Sequence, residues 1–273
     1  MKIVSSGRVL NSPEFYRKKQ KRRRLRLILA LVGLVLLLSS LIYFSRHQWF
    51  LINEVAVLGE DVIDKAEIEK IARDMLSDYY LWIFPRANSL IYPKKDIESA
   101  LFEKFPRFQS VDLDLKGLKT LNITVEERVP FALYCPRVSK CYFLDKEGLI
   151  FALAPSFTGT VYFLYTTEDK IENPIGERFM SVEEFKTLPK FIETLTTLGI
   201  HSKALEVGKS EYRLSLQTDG EVIWPRDSDL AVIYSNLEAF LSSKPIKGQS
   251  NFLNKILYLD LRTDNKVFYR FRE

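Results

Sequence analysis

Few residues in this 273-residue chain have the chemistry or the spacing for catalysis. There are two histidines, His47 and His201, and two cysteines, Cys135 and Cys141. A Ser-His-Asp or Cys-His mechanism needs a histidine base beside its nucleophile. His47 follows a long apolar run, where an interfacial residue is expected, and His201 follows Gly199-Ile200 just past an expected helix, a solvated or capping position. No H-E-x-x-H, P-loop, G-x-G-x-x-G or G-x-S-x-G motif occurs. Paired carboxylates can drive glycosidase-type acid–base work. Here, however, Glu126-Glu127 ends an alternating strand and Asp112 and Asp114 line a solvent face. No catalytic residue, cofactor or metal site is expected, and the chain does not read as an enzyme.

The cysteine pair is different. Cys135 and Cys141 are separated by Pro136-Arg137-Val138-Ser139-Lys140 between two strand-like runs. That spacing favours a structural disulfide stapling a hairpin end, if the compartment is oxidising. Loop-closure entropy gives such a bond roughly 2.5 kcal/mol. A metal site would need more ligands, and a redox pair has the tighter C-x-x-C spacing. Two free thiols are the alternative.

The elements that must hold these residues begin with an anchor. Leu27 to Phe44 are eighteen uncharged residues, directly after eight Lys/Arg between Arg17 and Arg26. At about 1.5 Å per residue such a helix reaches roughly 27 Å, enough to cross the hydrocarbon core. Arg26 and Arg46 flank the span, while Tyr43 and Trp49 suit an interfacial belt. The Lys/Arg excess holds residues 1–26 in the cytoplasm and puts Gln48 to Glu273 outside. Past the apolar run, Tyr43-Phe44-Ser45-Arg46-His47-Gln48-Trp49 offers no small-x-small site for a signal peptidase.

This asymmetry also explains the net charge of +5. Residues 1–26 hold ten Lys/Arg and one acid, a balance of +9; the other 30 Lys/Arg and 34 Asp/Glu leave −4. The basic excess is the topology signal, and nucleic-acid binding loses its main support.

Outside the span, residues 50–129 read as β-α-α-β-β. Ile52–Val57 is a first strand closed by Gly59. Asp64 caps a helix with Glu67 at the reciprocal position, and Ile68, Ile71, Ala72, Met75 and Leu76 form one face. A second helix starts near Pro93 and stops at Pro106. Val111/Leu113/Leu115 and Leu121/Ile123/Val125 alternate as a hairpin.

From residue 130 the β content rises. Strands are expected at Phe131–Cys135, Cys141–Leu144, Leu149–Ala152, Val161–Tyr165, Ala204–Val207, Tyr212–Leu216 and Glu221–Trp224. A capping box at Ser181–Glu184 opens a helix that Pro189 kinks or splits, and a second helix covers Asp229–Ser242. Ile256–Arg262, a Thr263-Asp264-Asn265 turn and Lys266–Phe271 close the chain. A terminal strand there either lies at an open sheet edge or is paired on both sides within its domain. The fold class is α+β: a single transmembrane helix, a β-α-α-β-β domain, then a larger mixed, mainly antiparallel β domain with two helices.

A resemblance joins these features. The basic tail, single span and small domain ending in Leu121-Asn122-Ile123-Thr124-Val125-Glu126-Glu127-Arg128-Val129-Pro130-Phe131-Ala132 are similar to the bacterial division family of FtsQ and DivIB. Val125, Glu127, Arg128, Pro130 and Ala132 match that family's Val-x-Glu-Arg-x-Pro-x-Ala. Ile52–Gly59 resembles its first strand, Tyr142–Phe151 its Asp-x-x-Gly hairpin, and Leu257–Arg262 with Lys266–Tyr269 its terminal strands. Leu118-Lys119 depart from it where a Pro is common, and the cysteine pair is not a general family feature.

The resemblance implies a POTRA domain at 50–129 and a C-terminal β domain at 130–273, after a tail at 1–26, a span at 27–44 and a linker at 45–49. It implies a non-catalytic, single-pass type II protein of the cytoplasmic membrane at the division septum. Such a protein binds FtsB- and FtsL-type bitopic partners and helps coordinate septal peptidoglycan synthesis. By position, the strand-accepting edge is Lys266, Val267, Phe268, Tyr269 and Arg270, with Tyr258 and Arg262 on the neighbouring strand. The Glu127–Pro130 junction reads structurally: Pro130 ends the strand and Arg128 pairs locally, fixing an interdomain angle. The competing readings are another membrane-anchored POTRA-type envelope scaffold and an anchored envelope hydrolase, whose signature is two converging carboxylates of raised pKa.

Overall fold

The computed structural model describes residues 13–136, 140–156, 161–168, 171–249, 251–264 and 266–272, with the side chains of 13–16 left aside. The first twelve residues of the basic tail, the centre of the cysteine loop and Asn265 of the expected turn lie outside them. The chain divides into two compact units: one runs to Leu101 and includes Val111–Val125, the other holds Phe102–Ser110 and everything from Glu126.

In the first unit, helix α1 (Pro13–Ser45) contains a segment, Arg17–Ser45, long and apolar enough to cross a membrane. Its Leu and Val side chains lie exposed on every side, the pattern of a helix whose solvent is lipid. Strand β1 (Glu54–Leu58) follows, then α2 (Lys65–Leu76). Asp64 caps α2, its Oδ1 accepting from Ala66 N at 2.9 Å. A short hairpin, β2 (Tyr79–Tyr80) and β3 (Phe84–Pro85), precedes α3 (Lys94–Lys104). The two longest strands, β4 (Phe108–Lys116) and β5 (Thr120–Glu127), then complete a sheet of order β1-β5-β4. β1 runs parallel to β5 with Val55 opposite Leu121 and Val57 opposite Ile123. These four, with Leu113 and Val125, are the buried alternate positions, and α2 turns Ile68, Ala72 and Leu76 inward. Gly59 ends β1 at φ +86°, and a Cβ there would stand 2.2 Å from the Val125 carbonyl oxygen, so only glycine fits.

The second unit is built on a nine-stranded sheet. Its strands are β6 (Ala132–Tyr134), β7 (Tyr142–Leu144), β8 (Ile150–Leu153), β9 (Leu164–Thr167), β10 (Ser202–Val207), β11 (Glu211–Leu216), β12 (Glu221–Pro225), β13 (Ile256–Asp260) and β14 (Phe268–Phe271). The spatial order is β14-β13-β12-β11-β10-β9-β6-β7-β8. Most pairs are antiparallel; β12–β13, β10–β9 and β6–β9 are parallel. β9 begins three residues later than Val161, where alternation placed it.

The main core joins one face of this sheet (Tyr134, Leu205, Leu214, Val222, Trp224) to α4 (Val182–Leu195) and α5 (Leu230–Ser242). Two single-turn helices, α6 (Lys244–Lys247) and α7 (Phe252–Lys255), add to the two expected. α4 runs through Pro189 instead of splitting there. Phe185, Leu188, Phe191 and Ile192 are buried on either side of the proline, and that packing outweighs the lost backbone bond. On the sheet's other face Leu133, Phe143, Phe151 and Ala154 form a smaller cluster, with Cys135 and Cys141 against it. The two sulfurs are bonded, with Cα atoms 4.3 Å apart.

Candidate partner-binding edge of the large sheet

A nine-stranded open sheet has two edges, and here they are finished differently. At β8, the chain at residues 176–178 folds back over the edge: Ile150 N donates to Glu177 O at 2.9 Å and Gly176 N to Ile150 O at 2.7 Å. Arg178 forms an isolated bridge with Leu149. At the opposite end β14 pairs with β13 alone, and among the described residues no other strand covers its outer side. Alternate residues of β14 therefore direct their N–H and C=O groups away from the sheet, the arrangement that accepts an added strand.

The β13–β14 register sorts the side chains onto two faces: Asp260 stands opposite Phe268, Leu259 opposite Tyr269, and Tyr258 opposite Arg270. Tyr269 and Phe271 lie on the helix-covered face. Tyr269 sits 5.6 Å from Phe240 of α5, 5.5 Å from Phe252 of α7 and 5.4 Å from Phe271, ring centre to ring centre. Phe268 lies on the opposite face, about half exposed.

That opposite face is charged. Arg262 holds Asp260 with two side-chain bonds, 2.9 and 2.6 Å, and reaches Glu211 at 2.9 Å. Arg213 pairs with Glu211 at 2.5 Å. Bonds from Arg262 hold the Asp260 carboxyl below its ordinary value despite some burial. Burial pushes Glu211 up, but the bonds and charges of Arg262 and Arg213 outweigh it and leave it below. The two acids raise Arg262 in turn. The network ties Arg262, just past β13, to Asp260 at the end of that strand and to Glu211 of β11.

The expected site residues thus separate. Phe268, Tyr269 and Arg270 are in β14, and Tyr258 is in β13. Lys266 and Val267 precede the strand, and Val267 packs against the core. Arg262 lies just past β13 rather than within it, because its backbone N–H turns back onto Asp260 Oδ1 at 2.9 Å. Sequence reasoning missed Glu211 and Arg213; their i, i+2 alternation on β11 was the signal that could have found them.

Two other expected features differ in detail. Arg128 does not pair locally: it bonds Asp145, in the Asp-x-x-Gly turn, at 2.5 Å and the Pro106 carbonyl at 3.3 Å. Asp145 is buried and its other oxygen accepts from Glu147 N and Leu149 N at 2.8 and 2.9 Å. The Ser181 capping box is half formed. Ser181 Oγ accepts from Glu184 N at 3.3 Å, but the Glu184 carboxylate turns instead to Arg226, at 2.8 and 2.9 Å, and to the Tyr212 hydroxyl.

Glu184, Tyr212 and Arg226 line a cavity of about 570 Å³. Burial acts to raise Glu184, yet the Arg226 and Tyr212 bonds prevail and hold it below its ordinary value. A general acid needs the reverse shift. His201 lies exposed beside a different cavity, and His47 Nδ1 accepts from Trp49 N at 3.4 Å. No group of three or more His, Cys, Asp or Glu able to hold a metal occurs among the described residues.

The described residues combine an apolar N-terminal helix, a mixed α+β body and a large sheet whose β14 edge is paired on one side only. No family model matches the chain. Over 112 residues, 41% of its length, it is 31% identical to the cell division protein DivIB of Lactobacillus delbrueckii subsp. bulgaricus. The match spans 37% of that protein's length. A distant, partial likeness to a division protein thus accompanies a helix compatible with membrane anchoring.

Proposed function

We propose that this chain is a non-catalytic, single-pass division scaffold of the FtsQ/DivIB kind. Residues 1–26 are its cytoplasmic tail, 27–44 its span and 45–49 a linker; 50–129 form a POTRA domain and 130–273 the C-terminal β domain. It works at the septum from the outer side of the cytoplasmic membrane. There it binds FtsB- and FtsL-type bitopic proteins and so helps time septal peptidoglycan synthesis.

The observation that carries this reading is the contrast between the covered β8 edge and the open β14 edge. An extended partner segment adding to β14 gains main-chain hydrogen bonds, while Phe268 and its neighbours select the sequence. The likeness to DivIB supplies the division context.

The test joins binding to physiology. In cells depleted of the native protein, the wild-type chain should restore septation and crosslink to a bitopic partner. Phe268→Lys should keep its circular dichroism yet weaken the crosslink, on the order of tenfold in affinity, with cells remaining filamentous. Unaltered crosslinking removes the edge-strand reading, and normal septation on depletion removes the division reading.

A further inference from the structure

The β2–β3 hairpin breaks the rules of its own turn. Tyr80 O accepts from Ile83 N at 3.0 Å, and the two central residues, Leu81 and Trp82, have φ of +49° and +60°. Asn-Gly usually occupies such a turn, because bulky side chains are strained there. Here the two strained positions carry large apolar side chains that are 84% and 91% exposed. Neither folding nor solubility benefits from that choice. Leu90, Ile91 and Ile83 extend the exposed apolar surface along the same segment.

The segment is tied to the end of α1. Arg46 Nε donates to Ile83 O at 3.1 Å. Buried Asn88 caps the helix, its Nδ2 donating to Ser45 O at 2.9 Å. Ser89 N bonds Phe50 O, and Ile52 N bonds Ala87 O. A groove of about 340 Å³ runs between Leu41 and Phe44 of the helix and Phe84, Leu90 and Ile91 of the segment. Leu41 lies a full turn inside the uncharged run, so Leu90 and Ile91 reach back alongside residues that the span would hold in hydrocarbon.

We propose that the hairpin and the Leu90-Ile91 loop are a second membrane contact. Leu81 and Trp82 insert at the acyl–headgroup boundary where α1 emerges, and a lipid chain fills the groove against Leu41 and Phe44. A tryptophan at such a boundary places its apolar ring among the chains and its indole N–H among headgroups. Arg46 stands at phosphate level and locks the hairpin to the helix. The contact deepens the anchored reading and rests on α1 spanning the bilayer. It turns a single flexible tether into a two-point seat that restricts how the following sheet leaves the membrane.

The test uses full-length protein in liposomes of phosphatidylethanolamine and phosphatidylglycerol. An environment-sensitive fluorophore is placed in turn on Leu34→Cys, Leu81→Cys and Val232→Cys; the bonded Cys135 and Cys141 leave the introduced thiol as the target. Leu34 and Leu81 probes should show blue-shifted emission, quenching by nitroxide lipids and loss of quenching by aqueous iodide. For Leu81 a shallow nitroxide should quench best, and Val232 should remain iodide-accessible. A lipid-exposed Leu34 probe with an iodide-accessible Leu81 probe overturns the second contact alone. A water-exposed Leu34 probe overturns the span and the contact with it. A Leu81 probe shielded only in native membranes, not in liposomes, overturns the lipid assignment in favour of a protein partner.

Discussion

Two buried or half-buried ion pairs carry more structural weight than the composition suggests. Arg128 and Asp145 meet at 2.5 Å with both side chains largely withdrawn from water. Arg128→Ala would leave the Asp145 carboxylate facing only the Glu147 and Leu149 amides. Removing one partner of such a pair costs about 3–5 kcal/mol, and urea unfolding should show the midpoint fall accordingly. An unchanged midpoint would mean that water replaces the guanidinium. The Glu184–Arg226 pair makes a different prediction. Because the folded carboxyl lies below its ordinary value of 4.5, its contribution is fully present above that pH and is lost as pH falls through the lower folded value. Thermal melts of Glu184→Gln should be less stable than wild type at pH 7. They should converge with wild type only as pH falls below 4.5 and through the lower folded value. Parallel curves would remove the pair from the acid response.

Among elements, legibility followed periodicity. α2 and α5 have clean 3.6 repeats and match their expected bounds to within a residue or two, whereas β4 begins at Phe108, three residues before the Val111 where alternation placed it. The β2–β3 hairpin was not legible, because each strand has two residues and Leu81-Trp82 contradict the usual turn chemistry. Strand order was also hidden. The parallel pairings of β9 with β6 and β10 join strands about thirty residues or more apart, beyond the reach of any local pattern. Glu184 looked like a cap because the capping-box code cannot see Arg226, 42 residues away. The open edge was half legible: the terminal position of β14 suggested it, but only the fold shows which of its side chains serve the core. This decides the choice of variant. Tyr269→Lys would disrupt the aromatic cluster with Phe240, Phe252 and Phe271, confounding binding with stability. Phe268 makes no such ring contact among the described residues, so a lysine there blocks the edge with least harm to the core.

At the scale of the whole chain, the +9 balance of residues 1–26 and the −4 balance of the rest predict opposite environments for the two ends if α1 crosses a membrane. The Cys135–Cys141 bond belongs to the −4 side and needs an oxidising compartment to persist. Charge asymmetry and disulfide therefore bear independently on the proposed topology, and a thiol assay can set them against each other. Protein extracted from cells into denaturant with excess alkylating reagent, without reductant, should carry no label on Cys135 or Cys141. Prior reduction should expose both, and the reduced protein should lose roughly 2.5 kcal/mol of stability, as expected for closing so short a loop. Full labelling without reductant would mean that the thiols stay free. The placement of Gln48 to Glu273 outside would then rest on the lysines and arginines of the tail alone.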